Sequence, residues 1–185
     1  MLKVAMLSKW HVHAGGYAKF LQSLGNVQIT AVWDEEPERG RQWAGELGAD
    51  FEEDLDALLR REDVEGVVVD APTAMHPDVM VAAANAGKHI FTEKAMALTV
   101  EECNRISDAV RKAGVKFCIS FPGRTSPQNL YAKKVVDEGL LGEITLWRNR
   151  NGHDGSLNNW LPDYWYDEKM AGGGAMMDLG CHPMY

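Results

Sequence analysis

Strand-length apolar runs and helix-spaced stretches alternate along this chain from its first residues to Ser120, and that alternation admits few folds. Val4–Leu7, Val27–Trp33, Val64–Val69, His89–Phe91 and Val115–Ser120 are short and apolar, as buried strands are. Between them, Tyr17–Leu24, Pro37–Leu47, Leu55–Leu59, Pro77–Ala86 and the stretch from Thr99 to Ala113 carry helical spacing. The punctuation agrees. Pro37 stands in a first turn and Gly48 just past a last one, and Thr99 with Glu102 forms a capping box. Gly25, Gly87 and Gly114 each close a helical stretch. The rhythm predicts an α/β fold with a doubly wound parallel sheet, and ligands then bind at the carboxyl ends of its strands.

Phe121-Pro122-Gly123 breaks the rhythm. The expected division is one domain over 1–122 and a second beginning at 123. Beyond the break come an expected helix from Pro127 to Glu138, an expected strand from Glu143 to Arg150, and an aromatic, Gly/Asn-rich loop from Asn151 to Tyr166. With 185 residues in all, a second α/β domain has begun without room to finish. The sequence is therefore expected to be a fragment or a truncated form.

A net charge of −8 argues against nucleic acid or an anionic membrane as partner. The acidic stretches Asp34-Glu35-Glu36 and Glu52-Glu53-Asp54 read most simply as solvated surface. Cys103, Cys118 and Cys181 are scattered, with no CxxC pair, which fits a reducing compartment. No leader-like segment and no run near ~18 apolar residues is present, so a cytoplasmic location is expected.

Three groups of residues carry chemistry. Asp34 ends the second strand, where an acid accepts hydrogen bonds from adenosine ribose hydroxyls and repels a 2′-phosphate. That position favours NAD over NADP; the plainer reading is a surface aspartate opening a turn. After the first strand a glycine fingerprint is expected, but its places hold Ser8, Trp10 and His13. Either the helix N-terminus and the imidazoles of His11 and His13 still hold phosphate, or dinucleotide binding is weak or lost. Pro72-Thr73-Ala74-Met75-His76 follows a strand and would lie near a nicotinamide ribose, although an isolated histidine there reads equally as a helix-entry cap.

Glu93-Lys94 follows the strand ending at Thr92, and Asp178 stands four residues before His182. On one helix these last two would share a face. A carboxylate beside an imidazole raises its basicity, and a lysine nearby polarises a hydroxyl oxygen. Lys94, Asp178 and His182 are thus candidates for proton transfer. Their plainer readings are a rim salt bridge, a helix N-terminal acid and a packed histidine. Trp160, Tyr164, Trp165 and Tyr166 line a sugar pocket, or else build a core or an interface. His11-Val12-His13 also reads as a metal-ligand pair, with His76 as third and Asp70 as fourth ligand. The chain is short for the ~250-residue barrel in which such pairs serve hydrolases, so no metal is assigned.

Together these segments resemble the glucose–fructose oxidoreductase and inositol dehydrogenase family (Gfo/Idh/MocA). Ala71-Pro72-Thr73-Ala74-Met75-His76, then Ala86-Gly87-Lys88-His89-Ile90-Phe91-Thr92-Glu93-Lys94, is similar to the family's T-P-N-x-x-H followed by A-G-K-H-V-x-x-E-K-P. Gly172-Gly173-Gly174-Ala175-Met176-Met177-Asp178-Leu179-Gly180-Cys181-His182 resembles G-G-G-A-L-x-D-x-G-x-H. The resemblance implies a Rossmann-like first domain and an oligomer-forming second domain. It implies NAD-dependent hydride transfer on a secondary alcohol of a sugar or polyol, with homo-oligomers in the full-length form. By the same resemblance Lys94, Asp178 and His182 are the catalytic trio, His76 and Glu93 lie by the nicotinamide, and Asp34 holds the ribose. Ala95 stands where the family has proline after Glu-Lys, often with a cis bond. A cis bond before a non-proline residue costs about 3 kcal/mol, so a trans Lys94–Ala95 bond is expected. A non-catalytic NAD- or sugar-sensing protein on the same fold is the alternative, motivated by the missing glycines.

Overall fold

The computed structural model describes residues 1–184. Six parallel strands form one sheet in the order β3-β2-β1-β4-β5-β6. They are β1 (Leu2–Leu7), β2 (Val27–Trp33), β3 (Asp50–Phe51), β4 (Gly66–Val69), β5 (His89–Thr92) and β6 (Phe117–Ile119). The helices between them are α1 (Ala14–Ser23), α2 (Pro37–Leu47), α3 (Leu55–Arg60), α4 (His76–Asn85) and α5 (Val100–Ala113). The order reverses between β1 and β4, and that switch point opens a crevice at the strand ends.

Alternate residues of each strand point to opposite faces. Val4 and Met6 of β1 pack with Ala14, Ala18, Trp43 and Ala44 from α1 and α2. Ala5 and Leu7 face the other way, onto Leu58, Met80, Ala83 and Ile106 from α3, α4 and α5. The β1–β2 register slips by one residue between Val4 and Ala5, a bulge that flips the parity of β2. Ile29 therefore joins the first cluster and Ala31 and Trp33 the second. Most expected elements fall within a few residues of those observed. The capping box of α5 is formed: Thr99 Oγ1 accepts the Glu102 N–H at 3.2 Å, and the Glu102 carboxylate accepts the Thr99 N–H at 3.0 Å. β3 was not foreseen; two residues carry too little pattern to read.

After β6 come α6 (Pro127–Asp137) and the short helices α7 (Glu168–Ala171) and α8 (Ala175–Asp178). The strand expected over Glu143–Arg150 does not form: among the described residues no strand pairs with it, and Leu146 and Trp147 are exposed. A strand needs a neighbour to satisfy its backbone N–H and C=O groups. No helix is long and apolar enough to cross a membrane, and all three cysteines are free.

Candidate active site

The register aligns the ends of five strands. Leu7 lies beside Trp33 and Val69, Val69 beside Thr92, and Thr92 beside Ile119. The next residue of each strand therefore joins one row along the carboxyl edge: Asp34, Ser8, Asp70, Glu93, Ser120. Every member carries a polar side chain, and Asp34, Ser8, Asp70 and Glu93 are buried.

At the β1–β2 end, Ser8 takes the left-handed turn (φ +74°) that a fingerprint glycine would take. Its N–H donates to the Trp33 carbonyl at 2.7 Å. Asp34 accepts the N–H groups of Lys9 (2.9 Å) and Glu36 (2.8 Å) and the Arg39 guanidinium (2.7 to 3.1 Å). Arg39 also reaches Glu35 at 2.6 Å and Glu36 at 3.2 Å. Asp34 is thus not solvated surface, as its acidic stretch suggested; it is buried and ties the first two strand ends together. Glu35 is half-buried, and its Oε2 has no hydrogen-bond partner. Burial raises its pKa above the ordinary carboxylate value. Trp10, at the second fingerprint place, is buried and stacked on Trp165, with ring centroids 4.7 Å apart. The Tyr164 hydroxyl donates to the Trp10 carbonyl at 3.0 Å.

Glu93 is the hub of the other end. Its carboxylate meets His13 Nδ1 at 3.0 Å and accepts the Tyr17 hydroxyl, which also contacts Ser120 Oγ at 2.7 Å. His11 Nε2 points at it from 3.8 Å. Burial opposes the charge of Glu93, but the hydrogen bond from His13, the neighbouring His11 and the Tyr17 hydroxyl outweigh it and hold the carboxyl at about 2. Burial pushes the pKa of His11 down to about 3, so this ring is neutral at pH 7. Asp70, next in the row, is buried with neither carboxylate oxygen hydrogen-bonded. Burial, and secondarily the charge of Glu93, drive its pKa well above the usual carboxylate value.

Lys94 turns the other way. Its ammonium pairs with the Asp178 carboxylate and donates to the Asp178 carbonyl at 2.9 Å. Burial opposes the charge of Asp178, but Lys94 prevails and lowers its pKa. His153 Nε2 lies 3.6 Å from the same carboxylate. His182 packs edge-on near Phe121, ring centroids 6.3 Å apart. Burial, then the Lys94 charge, lowers its pKa. Lys94, Asp178 and His182 line one cavity of about 420 Å³, with His11, His13 and Trp165.

Sequence and structure differ at several points. Asp178 and His182 do not share one helix: α8 ends at Asp178, and His182 opens a separate 3₁₀ turn (His182–Met184). Gly180 lies in the break, where an added Cβ would fall 2.4 Å from the Met176 carbonyl. The Lys94–Ala95 bond is cis, not trans. Beside it, the Lys94 N–H donates to Glu93 at 3.0 Å and the Ala95 carbonyl meets His76 Nδ1 at 2.9 Å. His76 is fully buried, and its other nitrogen contacts the Ala71 carbonyl at 3.0 Å. It braces the backbone beside Pro72 and Thr73 rather than serving as third partner of His11 and His13; Glu93 takes that place. Tyr17, Glu35, Arg39, His153 and Ser120 went unnoticed. Only Tyr17 left a signal, four residues after His13 and so one helical turn on.

The family described as "Oxidoreductase family, NAD-binding Rossmann fold" (GFO_IDH_MocA) matches residues 12–121. The "GFO/IDH/MocA C-terminal domain" matches residues 129–185. A 2,7-anhydro-N-acetylneuraminate hydratase of Escherichia coli (strain K12) is 36% identical over 136 residues, 73% of this chain and 36% of that protein. Levoglucosan dehydrogenase of Pseudarthrobacter phenanthrenivorans is 33% identical over 130 residues, 70% of this chain and 33% of its own length. Among solved structures, GenD2 from gentamicin A biosynthesis in complex with NAD superposes with a TM-score of 0.80 at 24% identity, covering 98% of this chain and 51% of that one. The chain thus spans about half the length of this structural relative, and its alignments span about a third of the two sequence relatives.

Proposed function

This chain belongs to the Gfo/Idh/MocA oxidoreductase family, and from that premise we propose that it serves NAD-dependent hydride transfer at a secondary alcohol carbon of a sugar or polyol. The observation that carries the reading is the convergence on one cavity of Lys94 with Asp178 and His182, although Lys94 and Asp178 are 84 positions apart in sequence. The division near residue 122 belongs to the same reading, supported by family matches that stop at 121 and resume at 129.

The dinucleotide suits the two ends of the crevice. Glu35 Oε2 is an unpartnered acceptor beside Asp34, where ribose hydroxyls donate. Asp34, Glu35 and Glu36 surround the single guanidinium of Arg39, so a further phosphate meets net negative charge. This favours NAD over NADP. At the other end, Pro72, Thr73, Glu93 and Lys94 would flank the nicotinamide, and Ser8, His11 and His13 lie by the helix N-terminus that faces the diphosphate. When bound, nicotinamide accepts or returns the hydride.

The chain supplies the proton chemistry. Lys94, fixed by Asp178, holds the alcohol oxygen and favours its developing negative charge. His182, neutral at pH 7 because burial lowers its pKa, takes the hydroxyl proton. Asp178 orients the ammonium. Trp160 and Trp165 line the same cavity and offer faces for a sugar ring.

The test is turnover with NAD on a panel of sugars, polyols and anhydro-sugars, levoglucosan among them, using the longest form of the protein. Activity that falls with His182→Ala supports the assignment, and a variant as active as the parent removes it. A second reading, a binding protein without turnover, draws on Trp10 standing where fingerprint glycine backbone meets the diphosphate. NADH fluorescence titration separates the two: tight binding with no turnover on any substrate favours the second.

A further inference from the structure

His11 and His13 stand at H-x-H spacing in the turn after β1, and Glu93 ends β5. Their ligand atoms all lie within 4.8 Å of one another. His13 Nδ1 and Glu93 Oε1 are 3.0 Å apart, and His11 Nε2 and Glu93 Oε2 are 3.8 Å apart. Ligands of a tetrahedral ion with bonds near 2.05 Å sit about 3.3 Å from each other, between those two values. His11 Nε2 is the telling atom. It is buried, has no hydrogen-bond partner, and is aimed at the carboxylate. A buried polar atom left unsatisfied is costly, and no hydrogen bond in the structure satisfies this one.

We propose that His11, His13 and Glu93 form a site for one divalent transition-metal cation of zinc-like preference, with an open coordination position on the cavity of Lys94, Asp178 and His182. Two imidazoles and a carboxylate with a free position are the donor set of catalytic rather than structural zinc sites. The cation would take an oxygen of the substrate, a hydroxyl or a carbonyl, at its fourth position and polarise it as a Lewis acid. Loading has an internal cost. His11 Nδ1 now accepts the His13 N–H at 3.2 Å. Metal at Nε2 moves the His11 ring proton to Nδ1, and metal at His13 Nδ1 moves that ring's proton to Nε2, so this long hydrogen bond and the one from His13 to Glu93 are exchanged for metal–ligand bonds. The Tyr17 hydroxyl stays on Glu93 and orients it, as outer hydrogen bonds do for ligating carboxylates. Metal binding itself needs no dinucleotide and is tested apart from the oxidoreductase reading, whereas the cation's contact with substrate rests on that reading.

The experiment titrates Co²⁺, and Zn²⁺ in competition with a chelating dye, into chelator-stripped, dialysed protein without NAD. One equivalent with the intense visible band of tetrahedral cobalt is expected. His13→Ala and His11→Ala should each weaken binding at least about tenfold, whereas His89→Asn, on the surface away from the cluster, should not. The His13 side chain is 58% exposed, so its replacement leaves the core intact and keeps the test valid even if His11→Ala fails to fold. Absence of a stoichiometric site, a purely octahedral cobalt spectrum, or binding indifferent to His13→Ala would overturn the proposal.

Discussion

Lys94 and Asp178, 84 positions apart, are locked together twice, by their charges and by a 2.9 Å hydrogen bond from the ammonium to the Asp178 carbonyl. The pair fixes the strand-end lysine against the glycine-flanked turn that delivers His182. Asp178→Asn keeps the shape and removes the charge that orients the ammonium. The expected outcome is a fall in kcat of roughly 10²-fold or more, with NADH affinity little changed. Steady-state kinetics beside a fluorescence titration checks both halves.

The pKa of His182 lies below the ordinary imidazole value, first through burial and then through the positive charge of Lys94. If His182 is the base, the acid limb of kcat/KM falls below pH 6.5. Lys94→Met removes one of the lowering causes, so whatever activity survives should show that limb moved to higher pH. His182→Ala should lose the limb and roughly 10²- to 10⁴-fold in rate. A limb unmoved by Lys94→Met would separate the two residues electrostatically. The pH–rate profiles of parent and variants decide it.

The sheet was legible because its central strands β1 and β4 are largely buried and so read as unbroken apolar runs, and because glycine and proline mark the helix ends. The row Asp34, Ser8, Asp70, Glu93, Ser120 was not legible, since it depends on register between strands distant in sequence. The same limit explains the site. Local spacing made Asp178 the expected partner of His182, yet the fold gives its carboxylate to Lys94, a contact no helical period encodes. Trp10 was visible as a departure from the fingerprint, but its stacking on Trp165 joins segments more than 150 residues apart in sequence. Glu143–Arg150 had the composition of a strand and lacked only a neighbour to pair with.

Asp70 predicts a particular pH dependence of stability. Its folded-state pKa is raised, above all by burial, so the folded protein keeps a proton that the unfolded chain loses near pH 3.9. Its contribution is fully present below that unfolded value and is lost as pH rises through the folded value. Asp70→Asn abolishes the titration. The amide leaves hydrogen bonds unmade at every pH, so the slope rather than the offset is diagnostic. Thermal melts should show the variant gaining on the parent as pH rises from 4 towards 8. Parallel melting curves across that range would show that Asp70 does not titrate as described.

Gly40, inside α2, ties the core to the Asp34 corner. A Cβ there would lie 2.4 Å from Phe51 Cε2 and 2.7 Å from Asp34 Cβ, separations that real atoms do not tolerate. Gly45, five residues on in the same helix, has open space around the equivalent position. The two glycines therefore part in sign. Gly40→Ala forces Phe51 or Asp34 to move and should cost about 1–3 kcal/mol by overpacking, despite the better helix propensity of alanine. For a chain of this size that is a fall in Tm of roughly 2–12 °C. Asp34 is one of the two groups crowded, so NADH binding should weaken in the same variant. Gly45→Ala meets nothing and should gain up to about 1 kcal/mol from helix propensity alone, with NADH binding unchanged. Differential scanning fluorimetry and NADH titration on the pair test both the packing at this corner and the role given to Asp34. Equal melting shifts for the two variants would place the crowding elsewhere.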